Sequence, residues 1–411
     1  MNKAESCGLA RHLQLLGIEP VNTARDADIV ILNTCVVRQN AEDKVRGMLG
    51  YVKGIKAKKP GMRIIVTGCF VGSETSGLKK LFPHVDYFFQ PGLNTNFEDW
   101  LYSIYMISKP GEVPAIKQGG SPVSVYIPII QGCNNYCSYC IVPFRRGRES
   151  SRPPEEILTE ASQHVASGAR EIVLLGQNVN AYGHDLDPRT GLSELLIQLH
   201  ELKDLLRIRF LTNHPKDMST SLIKALASLP KVCQHVCLPL QAGDDQILRK
   251  MNRHYSYGDF QALIRQMRQT IPGIAITTDL IVGFPGETEE QFINTRRAVE
   301  ELRFDAVHAA AYSPRAGTLA SQEFADDVPD QVKLQRLHTI EELQSKILCE
   351  INQGLVGTHV DTLVEGKKGP KWYGRTYSDK LVFLLSEHDL TGKLVTVAVT
   401  RASPWSLQGI T

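Results

Sequence analysis

The sequence predicts an α/β protein in three parts: a small doubly wound α/β domain, a partial parallel (β/α)6 barrel and a small C-terminal antiparallel β-barrel. Three patterns predict it. Over roughly the first hundred residues, short runs of buried-strand character alternate with helical periodicity. Six more strand-like runs follow, separated by helical segments, which is the rhythm of a parallel barrel. The last 55 or so residues change to short β runs divided by Gly, Asp and Ser. A chain of 411 residues has room for all three.

The first domain takes residues 1–107. It opens on an amphipathic helix over about residues 3–16. The runs IVILNT (29–34) and RIIVTG (63–68) read as buried parallel strands, with a weaker third at 85–89. One strand is wanting, because a helix of a βαβ unit follows the strand it packs on and this one has none ahead of it. Residues 108–122, SKPGEVPAIKQGGSP, are rich in Pro and Gly and read as a linker. The barrel takes residues 123–353, with strands expected at 123–130, 171–175, 207–211, 235–240, 274–282 and 305–312. A long helix over about 330–353 ends at Gly354. Residues 354–411 hold the β runs HVDTLVEG, LVFLL and KLVTVAVT.

A net charge of +2 neither demands nor excludes a nucleic-acid partner, since local basic patches matter more than the sum. The first twenty residues hold no apolar signal core, and no run reaches the length of a membrane span. Nine cysteines, an odd number unevenly clustered, suit a reducing cytoplasm better than a disulfide scaffold. The expectation is a cytoplasmic protein with no membrane partner.

The densest chemistry lies in GCNNYCSYC, where Cys133, Cys137 and Cys140 are spaced C-x3-C-x2-C with no fourth cysteine or histidine nearby in the chain. Three thiolates on a tight loop suit three irons of a cubane cluster and leave the fourth open, as binding and cleaving S-adenosylmethionine requires. Structural zinc, the alternative, takes four protein ligands and usually shows a second pair downstream. In a parallel barrel, reactive groups collect at the C-terminal strand ends. Here those ends carry the cysteine loop, GQNVNAYG, TNHPKD, PLQAGDD, TTDLIVGFPGE and YSPRAGT, and six such loops in register read as one active site. Gly176, Gln177 and Asn178 are expected to contact S-adenosylmethionine through backbone and amide groups. Tyr139 packs on its adenine or else gives hydrophobic support.

Other groups are read against blander roles. Arg145, Arg146, Arg148 and Arg152 follow the cluster loop, and either counter anionic cofactors or edge a solvated loop. Lys53, Lys56, Lys58 and Lys59 read as a solvated face. Cys35 and Cys69 each end a strand of the first domain, where parallel neighbours would bring both sulfurs to one rim; together they suggest ligands of a second cluster. Cys233 and Cys237 flank His235 at period two, a pattern read as core packing over a metal face. Cys349, on the long helix, reads as inert.

These residues carry a resemblance. Along nearly its full length the chain resembles the radical S-adenosylmethionine methylthiotransferases, through NTCVVRQNAEDK, GCNNYCSYCIVPFRRGRESSRP, LLGQNVNAYG, NHPKDMS, LPLQAGDDQILRKMNRHYS, TTDLIVGFPGETEEQF and YSPRAGT. NHPKDMS and KMNRHYS look most like the branch that thiomethylates isopentenyl-modified adenosine beside the tRNA anticodon. The nearest alternatives act on threonylcarbamoyl-adenosine in tRNA or on an aspartate of a ribosomal protein. An alternative of another class is an inactive RNA-binding relic that keeps one cluster.

The resemblance implies a barrel of radical S-adenosylmethionine type and a C-terminal RNA-binding β-barrel like the TRAM domain. There Lys367, Lys368, Lys371, Arg375 and Lys380, interleaved with Trp372, Tyr373 and Tyr377, would meet phosphates and stack on bases. It implies S-adenosylmethionine and two 4Fe-4S clusters, one on Cys133, Cys137 and Cys140 that generates the radical, and an auxiliary one including Cys35 and Cys69 that supplies sulfur. The implied partners are the tRNA anticodon stem-loop, a reducing electron donor and a sulfur donor. In the family a further auxiliary ligand stands two residues before a Met-Asn pair. This sequence starts at that pair, Met1 and Asn2, so that ligand and its strand are expected to be missing, and Cys7 in the opening helix is the candidate substitute.

Overall fold

The structure, a computed structural model, describes residues 2–34, 39–72, 74–90, 95–105 and 122–411. Cys35 and residues 108–121 of the expected linker lie outside the described residues. The chain divides into two compact units. The first comprises residues 1–118, 132–134 and 140–148; the second comprises residues 119–131, 135–139 and 149–411.

In the first unit, α1 (Asn2–Leu15) precedes β1 (Ile29–Thr34), α2 (Gln39–Lys58), β2 (Arg63–Gly68) and β3 (Tyr87–Phe88). The three strands form a parallel sheet in the order β1-β2-β3, with Ile29 opposite Arg63 and Ile65 opposite Tyr87. Strand side chains alternate between faces. Ile64 and Val66 therefore pack with Leu49 and Val52 of α2, while Ile65 packs with Leu16, Phe97 and Leu101 on the other side. The solvated lysine face is corrected in part. Lys56 is mostly buried, with its ammonium 2.5 Å from Asp86, and Lys59 pairs with Asp28 at 2.8 Å.

The second unit carries the six expected strands, β4 (Ser124–Pro128), β5 (Glu171–Leu175), β6 (Arg207–Phe210), β7 (His235–Cys237), β8 (Ala275–Val282) and β9 (Ala306–Ala311). They form two parallel three-stranded sheets, β4-β5-β6 and β9-β8-β7, joined through an isolated parallel bridge between Ile208 and Val232. Ile127, Ile172, Leu174, Ile208, Phe210, Val236 and Ile276 form one core with the surrounding helices. The last helix, Asp330–Gln353, runs against β9 and ends at Gly354 as expected.

Five strands close the C-terminal barrel: β10 (His359–Lys368), β11 (Lys371–Thr376), β12 (Leu381–Leu384), β13 (Leu394–Ser403) and β14 (Ser406–Ile410), in the ring order β10-β11-β12-β14-β13. The expected all-antiparallel barrel needs one correction. A ring of five strands cannot alternate direction throughout, and β12 and β14 run parallel, with Val382 opposite Leu407. This barrel is fixed to the parallel sheets by buried charge. Arg207 donates to the carbonyls of Arg375 and Asp361, and Arg209 reaches Glu171 at 3.3 Å and Asp379 at 3.4 Å.

Candidate cluster and cofactor site

The cysteine loop is held by backbone contacts on both sides of its sulfurs. The Cys133 amide donates to the Gly147 carbonyl at 3.2 Å, and Gly132 has φ +80° with the Arg148 carbonyl directly over it, so no larger residue fits there. The Ser138 amide donates to the Met251 carbonyl at 3.0 Å, the Ser138 carbonyl accepts from Ala320, and Asn252 donates its side-chain amide to the Tyr136 carbonyl. No disulfide joins Cys133, Cys137 or Cys140 among the described residues, and Cys137 is buried. Among the described residues no three His, Cys, Asp or Glu side chains gather as a site for a metal ion. A cubane spreads its thiolates over separate irons, so the fit must be judged by charge and chemistry.

That chemistry fits. Arg253 is buried, with Nη1 3.5 Å from the Cys137 sulfur, Nε donating to the Tyr255 hydroxyl and Nη2 to the Pro239 carbonyl, both at 2.8 Å. Burial works against its charge, yet Tyr139, Tyr255 and the Cys137 sulfur hold its pKa above the ordinary arginine value. Cationic donors at sulfur are what an anionic cluster calls for.

Within the first unit a second arginine stands at a second sulfur. Cys69 is buried just after β2, and Arg146, also buried, points Nε at its sulfur from 3.4 Å. The Arg146 guanidinium is gripped by both oxygens of Glu5 on α1. Burial lowers the Arg146 pKa, but Glu5 and Cys69 outweigh it, and the net direction is upward. Gly68, with φ +92°, lets the chain turn against the Thr34 backbone, bringing Cys69 to the end of the sheet. Cys69 thus fits an auxiliary cluster ligand; Cys35 and the Cys7 side chain lie outside what is described. Arg145 covers Gly72, where a Cβ would meet its guanidinium. Arg152 pairs with Glu160 at 2.7 Å.

The expected cofactor loop follows β5. Gly176 allows no side chain, since a Cβ there would lie 2.4 Å from Ile130. Asn178 donates to Asp217 at 2.7 Å and leaves its own carbonyl oxygen buried without a hydrogen-bond partner. The same holds for the side-chain oxygens of Asn213 and Gln241 and for Nε2 of His214, all on the loops after β6 and β7. Four orphaned buried polar atoms beyond the strand ends fit a ligand rich in donors and acceptors, as S-adenosylmethionine is. The His214 pKa falls to about 2, first through burial and then through the Arg253 charge, so its ring is neutral. Tyr139 packs against the cluster of Met251, Phe284, Tyr312 and Ala320.

Sequence reasoning missed His214, Asn213, Gln241 and Arg253 as individuals. All four stand in stretches quoted for the resemblance, but no spacing rule shows which polar residue of a loop ends up buried. Glu287 was missed too. It closes the turn after β8 by accepting from the Gly283 amide at 2.6 Å and from Arg336 at 2.8 Å.

Elsewhere, Cys233 is buried with its thiol pushed up to about 11, Cys237 up to about 12, and His235 down to about 4, in each case chiefly by burial. Protonated thiols and a neutral ring are core features, as read from the sequence. Of the five basic residues expected to meet phosphates, Lys367 and Lys368 are exposed and Lys371 half-buried around the β10–β11 turn. The other two are otherwise engaged. Lys380 pairs with Asp305 at 3.1 Å, and Arg375 with Asp379 at 3.3 Å and Glu365 at 3.6 Å. Lys367 lies 5.1 Å from the ring centre of Trp372. Among the described residues no helix is long and apolar enough to cross a membrane.

Comparison with known proteins agrees with this geometry. Residues 127–299 match the model of the radical SAM superfamily, and residues 1–90 that of an uncharacterized protein family, UPF0004. A tRNA-2-methylthio-N(6)-dimethylallyladenosine synthase of Dehalococcoides mccartyi is 48% identical over 99% of this chain and 95% of the relative. Synthases of the same name from Dictyoglomus thermophilum and Roseiflexus sp. are 43% and 42% identical over the whole chain, covering 96% and 87% of those proteins. Among solved structures, the radical S-adenosylmethionine methyltransferase TsrM of Kitasatospora setae superposes with a TM-score of 0.54 over 72% of this chain and 67% of its own, at 16% identity, a likeness of fold. The chain belongs to the family of tRNA-2-methylthio-N(6)-dimethylallyladenosine synthases, radical S-adenosylmethionine methylthiotransferases.

Proposed function

We propose that this protein transfers a methylthio group to carbon 2 of isopentenyl-modified adenosine beside the tRNA anticodon. The observation that carries the reading is the cysteine loop with a buried arginine on the Cys137 sulfur, beside strand-end loops bearing unsatisfied polar atoms. A four-iron cluster with S-adenosylmethionine supplies, when bound, a one-electron reduction that yields a carbon-centred hydrogen abstractor. The chain's own part is to hold and orient. Cys133, Cys137 and Cys140 would carry that cluster. Gly176 keeps the loop after β5 close to Ile130, just beyond β4, and Asn178, Asn213, His214 and Gln241 offer hydrogen bonds to the cofactor or the adenine. His214 offers its Nε2–H, because its Nδ1 accepts from the Lys216 amide.

Cys35 and Cys69 would serve a second, sulfur-supplying cluster in the first unit, with Arg146 beside Cys69. Lys367, Lys368 and Lys371 would meet tRNA phosphates, with Trp372 and Tyr373 close by on β11. An electron donor and a sulfur donor complete the cycle. The test is mass spectrometry of tRNA nucleosides from a deletion strain and from the same strain carrying this gene. Loss and restoration of the methylthio group on isopentenyl-adenosine is expected. Loss instead from threonylcarbamoyl-adenosine, or from a ribosomal-protein aspartate, would move the substrate. Unchanged methylthio content in all three would sink the reading.

A further inference from the structure

Arg146 and Arg253, both among the described residues, donate to candidate cluster sulfurs, and their charges are handled in opposite ways. Arg146, at Cys69, has a carboxylate on its guanidinium: both oxygens of Glu5 accept from it. Arg253, at Cys137, has none. Its partners are the Cys137 sulfur, the Tyr255 hydroxyl and the Pro239 carbonyl, its guanidinium stands 5.0 Å from the Tyr255 ring centre, and no ion pair to it occurs among the described residues. It is also buried. Guanidinium does not shed its proton in proteins, and a buried cation without a counterion is strongly unfavourable. The chain has nevertheless built a tight cradle for one, spending a tyrosine hydroxyl and a backbone carbonyl to aim it at a cysteine sulfur.

We infer that Arg253 is the built-in countercharge of the cluster on Cys133, Cys137 and Cys140, a positioning residue that raises that cluster's reduction potential, whereas Glu5 cancels the corresponding effect of Arg146 at Cys69. The inference rests on the proposal that this loop carries a four-iron cluster. A cationic hydrogen-bond donor at a ligand sulfur favours the state with more negative charge, which is the reduced one. The electron that opens S-adenosylmethionine is thereby easier to place on the cluster beside Arg253. The contrast with Arg146 shows that pairing an arginine near sulfur was within reach of this fold, and that among the described residues Arg253 has no carboxylate partner.

The experiment uses the full chain carrying Cys35→Ala and Cys69→Ala, reconstituted anaerobically so that only one cluster assembles. Iron per chain is counted, and the midpoint potential is followed by electron paramagnetic resonance, for Arg253, Arg253→Lys and Arg253→Met. About four irons in each, a shift of Arg253→Met to lower potential and a near-normal Arg253→Lys are expected. Four irons with an unmoved potential in Arg253→Met would overturn the inference and leave the cluster proposal standing. Zinc, or no iron, in the parent chain would overturn the cluster proposal and the inference with it. Should Arg253→Met lose its iron, Arg253→Lys decides. Potential retained by the lysine supports the role of charge. A bracing role needs the planar three-point contact and would cost the lysine variant its cluster, which would overturn the inference.

Discussion

The guanidinium of Arg207 lies 4.1 Å from the ring centre of Tyr377, clamping a strand of the parallel sheets to the loop between β11 and β12 of the C-terminal barrel. Arg207 has no measurable exposure, and its other donors reach the carbonyls of Arg375 and Asp361. Replacing it by Met removes charged donors from two partly buried carbonyls. We expect a loss of about 3 kcal/mol in urea unfolding. Tyr377→Ala should cost about 1–2 kcal/mol. Limited proteolysis checks the location, since release of the C-terminal barrel should precede loss of the parallel sheets.

Acid should weaken the fold below neutrality. His235 titrates near 4 and His214 near 2 in the folded chain, against 6.5 for an ordinary histidine, chiefly because burial disfavours the charged ring. Between those values the unfolded chain takes up protons that the folded chain refuses. Stability therefore falls as pH drops below about 6.5, by about 1.4 kcal/mol per pH unit for each histidine. Urea unfolding at pH 7.5, 6.0 and 5.0 measures this. His235→Phe should flatten the slope; an unchanged slope would mean that the ring is already charged in the fold.

Salt dependence should separate the basic residues of the C-terminal barrel. Neutralising Lys367, Lys368 and Lys371 together is expected to weaken tRNA binding and reduce the slope of log affinity against log salt by about two to three. Lys380→Ala should leave that slope alone and lower thermal stability, because Lys380 is paired with Asp305. A slope reduced by Lys380→Ala would show instead that the ion pair opens to bind RNA.

Gly176→Ala should separate cofactor binding from cluster assembly. The added methyl would lie 2.4 Å from Ile130 and push the loop after β5 outward. Iron content should stay at the wild-type level, while S-adenosylmethionine binds at least about tenfold more weakly by equilibrium dialysis. Equal affinity would mean that Ile130 gives way.

Iron stoichiometry divides the cysteines. Changing Cys133, Cys137 and Cys140 together to Ala should take the reconstituted chain from about eight irons to about four, and abolish formation of 5′-deoxyadenosine. A fall from about four to none would show that Cys35 and Cys69 assemble no cluster of their own.

The parts of this molecule that repeat locally were legible in its sequence. All six strands of the parallel sheets were placed to within a few residues, because each is an apolar run closed by a glycine-rich or polar loop. The long helix was found through its end at Gly354. The direction of β14 was not legible, since ring closure is a property of five strands together. Nor was the fate of like-looking charges. Lys367 and Lys380 differ little as residues in a list, yet one faces solvent and the other pairs with Asp305 some 75 residues away in the chain. Arg253 and His214 were visible only as letters in long motifs, because burial is decided by segments far away in sequence.

The helix Asp330–Gln353 ends in anchors of different kinds. Near its start Arg336 holds Glu287 and with it the turn after β8; at its finish Asn352 donates to the Ser403 and Pro404 carbonyls of the C-terminal barrel at 2.9 and 3.0 Å. Sixteen residues separate the two anchors, about 24 Å of rigid α-helix. The helix is therefore a ruler. Adding one residue within it would swing one anchor by about 100° relative to the other, so both halves could fold and bind their own ligands while the adenosine no longer arrives where the chemistry is. Such a protein should still bind tRNA and still consume S-adenosylmethionine, with the two events uncoupled.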